Sequence, residues 1–224
     1  QPASPDDLFA FKINYETVEN TAYGEIKPLY NGNISETFWR TSSNDIIRSY
    51  GYKYDNLNRL NKAVYQKNGT VLNSYDEEIS YDKNGNITDL SRNGGYDGDL
   101  MTLEMDRLAY SYHPQKKNQL MKVLDYAFNP DGFTDDSPDG ITDSEDDYAY
   151  DANGNMISDQ NKGITQILYN HLNLPIKIVF GSESDKIEYL YDAAGKKVQK
   201  LVTEAGTPKS FIYLQGFQYK GKTL

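Results

Sequence analysis

From Asp135 to Asp146 the chain sets side-chain oxygens at the spacing of a calcium loop. Asp135, Ser137, Asp139, Asp143 and Asp146 stand at positions 1, 3, 5, 9 and 12, with Gly140 at position 6. A hard cation takes its ligands from such a run of oxygens. Position 12 is Asp rather than a bidentate Glu, Pro138 stiffens the turn and no helical pattern flanks it. The plainer reading is a solvated acidic loop over Asn129 to Asp147, with calcium as the alternative and no other cofactor expected. The two histidines, His113 before Pro114 and His171, lie 58 residues apart with no nucleophile pattern beside either, and read as turn or surface residues. Lys196, Lys197 and Lys200 form a small basic cluster that reads as the guard of an exposed strand edge.

The remaining chemistry is repetitive. Tyr54-Asp55, Tyr81-Asp82, Tyr150-Asp151, Tyr169-Asn170 and Tyr191-Asp192 each follow a short alternating run, and an aliphatic residue comes soon after, as at Leu60, Ile87, Met156, Leu174 and Val198. Gly85, Gly154 and Gly195 sit three residues beyond their Asp. Near-identical carboxylates in several copies suit the capping of turns, whereas a glycosidase needs one particular pair. No catalytic residue is assigned, and a non-enzymatic role is expected.

These phrases demand hairpins. Residues two apart on a strand share a face, so Tyr52 with Tyr54, Tyr148 with Tyr150 and Tyr189 with Tyr191 lay rings on one side of a sheet. The Asx and Gly residues then reverse the chain. The steps from Tyr54 to Tyr81, Tyr150 to Tyr169 and Tyr169 to Tyr191 are 27, 19 and 22 residues, close to a two-strand repeat. Between Tyr81 and Tyr150 lie 69 residues, where Leu108 to Tyr112 with Asn118 to Leu120 reads as a degenerate unit. Leu8 to Tyr15 reads as an opening strand with Phe9, Phe11 and Ile13 on one face. Asn31-Gly32 is a hairpin signal, Thr37 to Arg40 a strand, and Ser43 to Ile47 a polar connection or a single helical turn.

Composition fits that picture. Hydrophobic residues make up 38%, mean hydropathy is −0.75, and tyrosine provides 20 of the aromatic residues, which suits a sheet without a thick apolar core. A net charge of −10 opposes nucleic acid and anionic membrane as partners. There is no cysteine, no apolar run long enough to span a bilayer, and no signal-peptide pattern at the start. An export signal, if used, lies outside this sequence. No Pro-, Gly- or Ser-rich linker divides the 224 residues, so one repeat region over 1–224 is expected, a fragment of something larger because the regular pattern runs to Tyr219 without a terminating turn.

The Tyr-Asp units resemble the RHS, or YD, repeats of bacterial polymorphic toxins, insecticidal toxin complexes and teneurins. The resemblance covers Leu29 to Tyr219. The wording of Tyr81-Asp82-Lys83-Asn84-Gly85-Asn86-Ile87 and Tyr150-Asp151-Ala152-Asn153-Gly154-Asn155-Met156 is similar to the version in secreted proteins of Bacteroidetes. It implies an all-β ribbon of consecutive antiparallel hairpins curving into part of a hollow shell, which encloses or presents a C-terminal toxin-like domain. Phe211 to Tyr219 resembles the entry to the family's core region, whose self-cleavage site and plug do not occur here. The implied partners are the rest of its own shell, the cargo and a secretion machinery, and the implied location is secreted or cell-surface. The rival reading is a glycan-binding or adhesion module with exposed tyrosines; a third places an enzyme between Leu90 and Asp147. Where the rings point separates these readings.

Overall fold

A computed structural model describes residues 8–20, 24–95, 103–135, 145–214 and 216–221. Among them regular structure is almost wholly strand, with a single 3-10 turn over Gln160–Lys162. The strands are β1 (Phe9–Asn14), β2 (Glu36–Thr41), β3 (Arg48–Tyr54), β4 (Leu60–Lys67), β5 (Thr70–Val71), β6 (Glu77–Tyr81), β7 (Ile87–Gly94), β8 (Leu103–Tyr112) and β9 (Leu120–Asp125). They continue as β10 (Tyr148–Tyr150), β11 (Met156–Asp159), β12 (Ile164–Tyr169), β13 (Pro175–Phe180), β14 (Ser182–Tyr191), β15 (Lys197–Glu204), β16 (Thr207–Leu214) and β17 (Phe217–Lys220).

Neighbours in sequence are neighbours in space. One sheet runs β1-β2-β3-β4-β6-β7-β8-β9 with β5 against β4, and the other runs β10 to β17 in unbroken order. The expected ribbon of consecutive antiparallel hairpins is therefore present, laid out as two sheets. By compactness the chain separates into two units, Gln1–Tyr110 with Leu124–Phe133, and Ser111–Val123 with Thr134–Leu224.

Because each sheet is a meander, its Tyr-Asp turns fall along one edge and the remaining connections along the other. Every repeat reaches its turn the same way. The register slips just before each tyrosine, between Lys53/Tyr54, Ser80/Tyr81, Ala149/Tyr150, Leu168/Tyr169 and Leu190/Tyr191. That bulge sets Tyr54 opposite Leu60, Tyr81 opposite Ile87, Tyr150 opposite Met156, Tyr169 opposite Pro175 and Tyr191 opposite Lys197.

The apolar core is thin. In the first unit Ile26 and Val64 are buried together, with Val18 and Val71 packed on them. Irregular residues 15–20 and 24–34 lie here, and the buried Glu36 carboxylate accepts from Glu19 N at 2.7 Å, Asn20 N at 3.0 Å and Asn14 Nδ2 at 3.1 Å.

Of four local expectations, the Asn31-Gly32 hairpin and the lysine edge guard are corrected. Gly32 turns the chain at φ 88°, but no strand directly precedes it, since residues 24–35 form none. Ser43 to Ile47 is the polar connection, without a helix; Asp45 takes φ 52° and its N–H bonds Thr41 O at 3.1 Å. The opening strand forms as β1 with Phe9, Phe11 and Ile13 at alternate positions, and Phe9 and Phe11 are 56% and 69% exposed. Lys197 and Lys200 do not guard an edge: β15 is paired on both sides, by β14 and β16.

Candidate functional site

The repeating feature is the joint between neighbouring hairpins. It begins with a side chain that can accept backbone N–H groups immediately after the tyrosine. Asp55 Oδ1 accepts from Leu57 N at 2.8 Å and Arg59 N at 3.0 Å. Asp82 does so from Asn84 and Asn86 at 2.8 and 2.9 Å, and Asp151 from Asn153 and Asn155 at 2.9 and 2.8 Å. Asn170 takes Leu172 and Leu174 at 2.9 and 3.0 Å, and Asp192 takes Ala194 and Lys196 at 2.9 Å each. The residue three beyond each acceptor must adopt positive φ, and it is Asn58 (63°), Gly85 (92°), Gly154 (87°), Asn173 (57°) or Gly195 (78°). Only Gly and Asn tolerate that backbone cheaply, which is why the sequence alternates between them there.

Where the acceptor is Asp, its second oxygen is available too. Oδ2 of Asp55 takes Arg59 Nε at 2.7 Å, that of Asp82 takes Asn86 Nδ2 at 2.8 Å, and that of Asp151 takes Asn155 Nδ2 at 2.9 Å. These donors hold the carboxyls below the usual range. At Asp55 the Arg59 N–H contributes most, and at Asp151 the Asn155 amide. At Asp82 desolvation works the other way but is outweighed by the combined donations of Asn86, Asn84 and Gly85.

The tyrosine makes the joint. Each ring lies along the sheet and its hydroxyl donates to a main-chain carbonyl of the preceding unit. Tyr54 reaches Ile34 O at 3.0 Å, Tyr81 reaches Leu60 O and Tyr150 reaches Leu120 O at 2.7 Å, Tyr169 reaches Met156 O at 2.7 Å, and Tyr191 reaches Pro175 O at 2.8 Å. Leu60, Leu120, Met156 and Pro175 each open the return strand of the unit before. Desolvation raises the pKa of all five hydroxyls, and Tyr148, buried beside Tyr150, is pushed up to about 12 by the same cause. Each therefore stays a neutral donor.

Adjacent turns are also linked sideways. Arg59 pairs with Asp55, donates to Asp82 O at 3.1 Å and stacks over the Tyr81 ring at 4.5 Å. Asn155 Nδ2 reaches Asn173 Oδ1 at 3.0 Å. Along the strands Tyr50 stacks on Tyr52 at 5.9 Å, and Tyr189 meets Tyr191 at 6.3 Å with the rings tilted by 43°.

Sequence reasoning read the degenerate unit and a turn or surface place for His113, but not the part its imidazole plays. His113 follows Tyr112 where the other units carry Asp or Asn, and its Nδ1 accepts from Gln115 N and Lys116 N at 3.1 Å each, while its own N–H bonds Gln119 O. The histidine does the work of the aspartate in the degenerate unit. Its position directly after a paired tyrosine was the available signal. Sequence reasoning also missed the carboxylates at the other ends of the hairpins: Asp125 takes Arg107 N at 3.0 Å, and Asp147 takes Val123 N at 2.7 Å.

Of the proposed calcium ligands, Ser137, Asp139 and Asp143 lie outside the described residues. Among the described residues, which include Asp135 and Asp146, no group of three or more His, Asp or Glu side chains could hold a metal.

No family model and no curated protein matches the sequence. Solved structures do match in fold. The crystal structure of TcdB2-TccC3 aligns with a TM-score of 0.54 at 11% identity, and that of TcdB2-TccC3-Cdc42 with 0.53 at 10%. Each alignment covers 95% of this chain and 11% of the other, so the chain spans about a ninth of the proteins it resembles. At that identity the likeness shows the fold: this chain is built as a segment of the TcdB2-TccC3 chain is built.

Proposed function

We propose that the chain is a non-enzymatic strip of RHS-type shell wall, part of a secreted or cell-surface bacterial protein that encloses or presents a C-terminal toxin-like domain. The observation carrying this reading is the tyrosine joint, repeated at Tyr54, Tyr81, Tyr150, Tyr169 and Tyr191. A wall must be continuous, and each hydroxyl fastens one hairpin to the last while the strand ladders satisfy the backbone. The fold likeness to TcdB2-TccC3 over nearly the whole chain supports it. The partners would be the remaining turns of its own shell, the cargo and a secretion apparatus.

The same observation weighs against adhesion through exposed tyrosines. Among the described residues only Tyr15 and Tyr30 are exposed, and neither belongs to a repeat turn. Electron cryomicroscopy of the gene's full product tests the proposal. The expected particle is a closed hollow body with protein density inside it; an open, extended array with no lumen would overturn the reading.

A further inference from the structure

The two faces of the sheet formed by β14 to β17 treat their lysines differently. On one face Lys186 bonds Glu188 at 3.3 Å and Glu183 at 3.5 Å, and Lys177 bonds Glu183 at 2.5 Å. Every cation there has an anion. On the other face, Tyr189 lies opposite Lys200, Lys200 opposite Phe211, and Phe211 opposite Lys220, one row across four strands. Directly paired residues of antiparallel strands share a face. Lys197 joins this row, its ammonium 4.6 Å from the Tyr189 ring centre and 5.9 Å from that of Tyr213. The acids of this face stand at its far end and are engaged, Glu204 with Lys209 and Asp185 with Ala205 N. Lys197, Lys200 and Lys220 make no ion pair among the described residues, in a chain with 33 acidic and 23 basic residues.

Edge protection does not account for Lys197 and Lys200, because β15 is an interior strand; Lys220 lies on β17, the last strand of the sheet. We propose that the tyrosine–lysine face of β14 to β17 docks a short acidic segment of a partner polypeptide. Charge complementarity sets the sign of the occupant. Size sets its class: Lys200 and Lys220 are two strand spacings apart, about 10 Å. A nucleic acid or a long acidic glycan would run off this patch onto a chain of net charge −10, which repels it. A carboxylate-bearing peptide fits within the patch, its acids on the ammonium groups and its apolar atoms on Phe211 and Tyr213. The inference does not depend on the shell reading.

The test titrates the full chain with a glutamate oligopeptide a few residues long, followed by calorimetry at low and high salt. Salt-sensitive binding is expected, weakened about tenfold by K200E/K220E, since each exposed pair contributes up to about 1 kcal/mol. K177E/K186E, on the opposite face, should leave it unchanged. Circular dichroism checks that the variants fold; should the reversed pair unfold, K200Q/K220Q removes the charges more gently and must still weaken binding. Absent binding, equal loss in the opposite-face variant, or tighter binding of oligothymidylate or a sulfated glycan would each overturn the proposal.

Discussion

The two edges of each sheet are both lined with aspartates, and they are built on opposite plans. Along the tyrosine edge the acceptors Asp55, Asp82, Asp151 and Asn170 are partly exposed and Asp192 is exposed, and each serves its own turn, always the N–H groups two and four residues on. Along the other edge Asp106, Asp125, Asp147 and Asp159 are buried. There Asp76, Asp125 and Asp147 take a donor from a distance that changes with the loop, Tyr65, Arg107 and Val123 in turn, while Asp159 caps its own turn through Lys162 N. A cap that closes a fixed ring of atoms recurs as a motif, while a cap that must meet whatever strand a loop returns to does not. The first kind makes the repeat; the second accommodates its irregularities.

The largest effect is expected where a buried carboxylate is removed. Asp106 Oδ2 pairs with Arg92 Nε at 2.5 Å and Oδ1 accepts from Phe133 N at 2.5 Å, so Asp106→Ala leaves the Phe133 N–H without its acceptor and frees a half-exposed guanidinium, and should cost about 2 kcal/mol in a urea melt. A loss no greater than that of a turn variant would mean the two edges are not distinct. Next come the joints: Tyr169→Phe deletes one hydroxyl bond to Met156 O and should cost about 1 kcal/mol.

Acid should act on the tyrosine edge. The carboxyls of Asp55, Asp82 and Asp151 are lowered in the fold, so their stabilisation is in place above the unfolded value of about 3.9 and is lost as pH falls through the lower folded values. The triple variant D55N/D82N/D151N, which copies the Asn170 arrangement, should flatten this acid limb in melts from pH 5 to about pH 2. An unaltered limb would assign the acid sensitivity to the other edge. The smallest change is expected at the degenerate turn, where His113→Asp restores the usual acceptor and should raise the melting temperature slightly. A drop would show that the imidazole does something the carboxylate does not.

How far the sequence is readable follows from the same contrast. The five Tyr-Asp turns, their Gly or Asn at positive φ and the strands around them are all visible, because each depends on residues within five positions. The hydroxyl joints are not visible: their acceptors are main-chain carbonyls lying 13 residues away for Tyr169 and 30 for Tyr150. His113 escaped because imidazole is not a usual turn acceptor, although its Nδ1 presents a lone pair much as an Asp oxygen does. The lysines of β15 looked like edge guards because alternation cannot say which strands have neighbours on both sides.

Native-state hydrogen exchange on Y81F/Y169F/Y191F tests most directly whether the tyrosine hydroxyls hold neighbouring hairpins together. Protection should fall at the return strands that begin at Leu60, Met156 and Pro175 and stay unchanged at the strand that begins at Leu120, where the Tyr150 joint is intact. Uniform protection identical to that of the unaltered chain would contradict the account, since the units would then be held by their strand ladders alone.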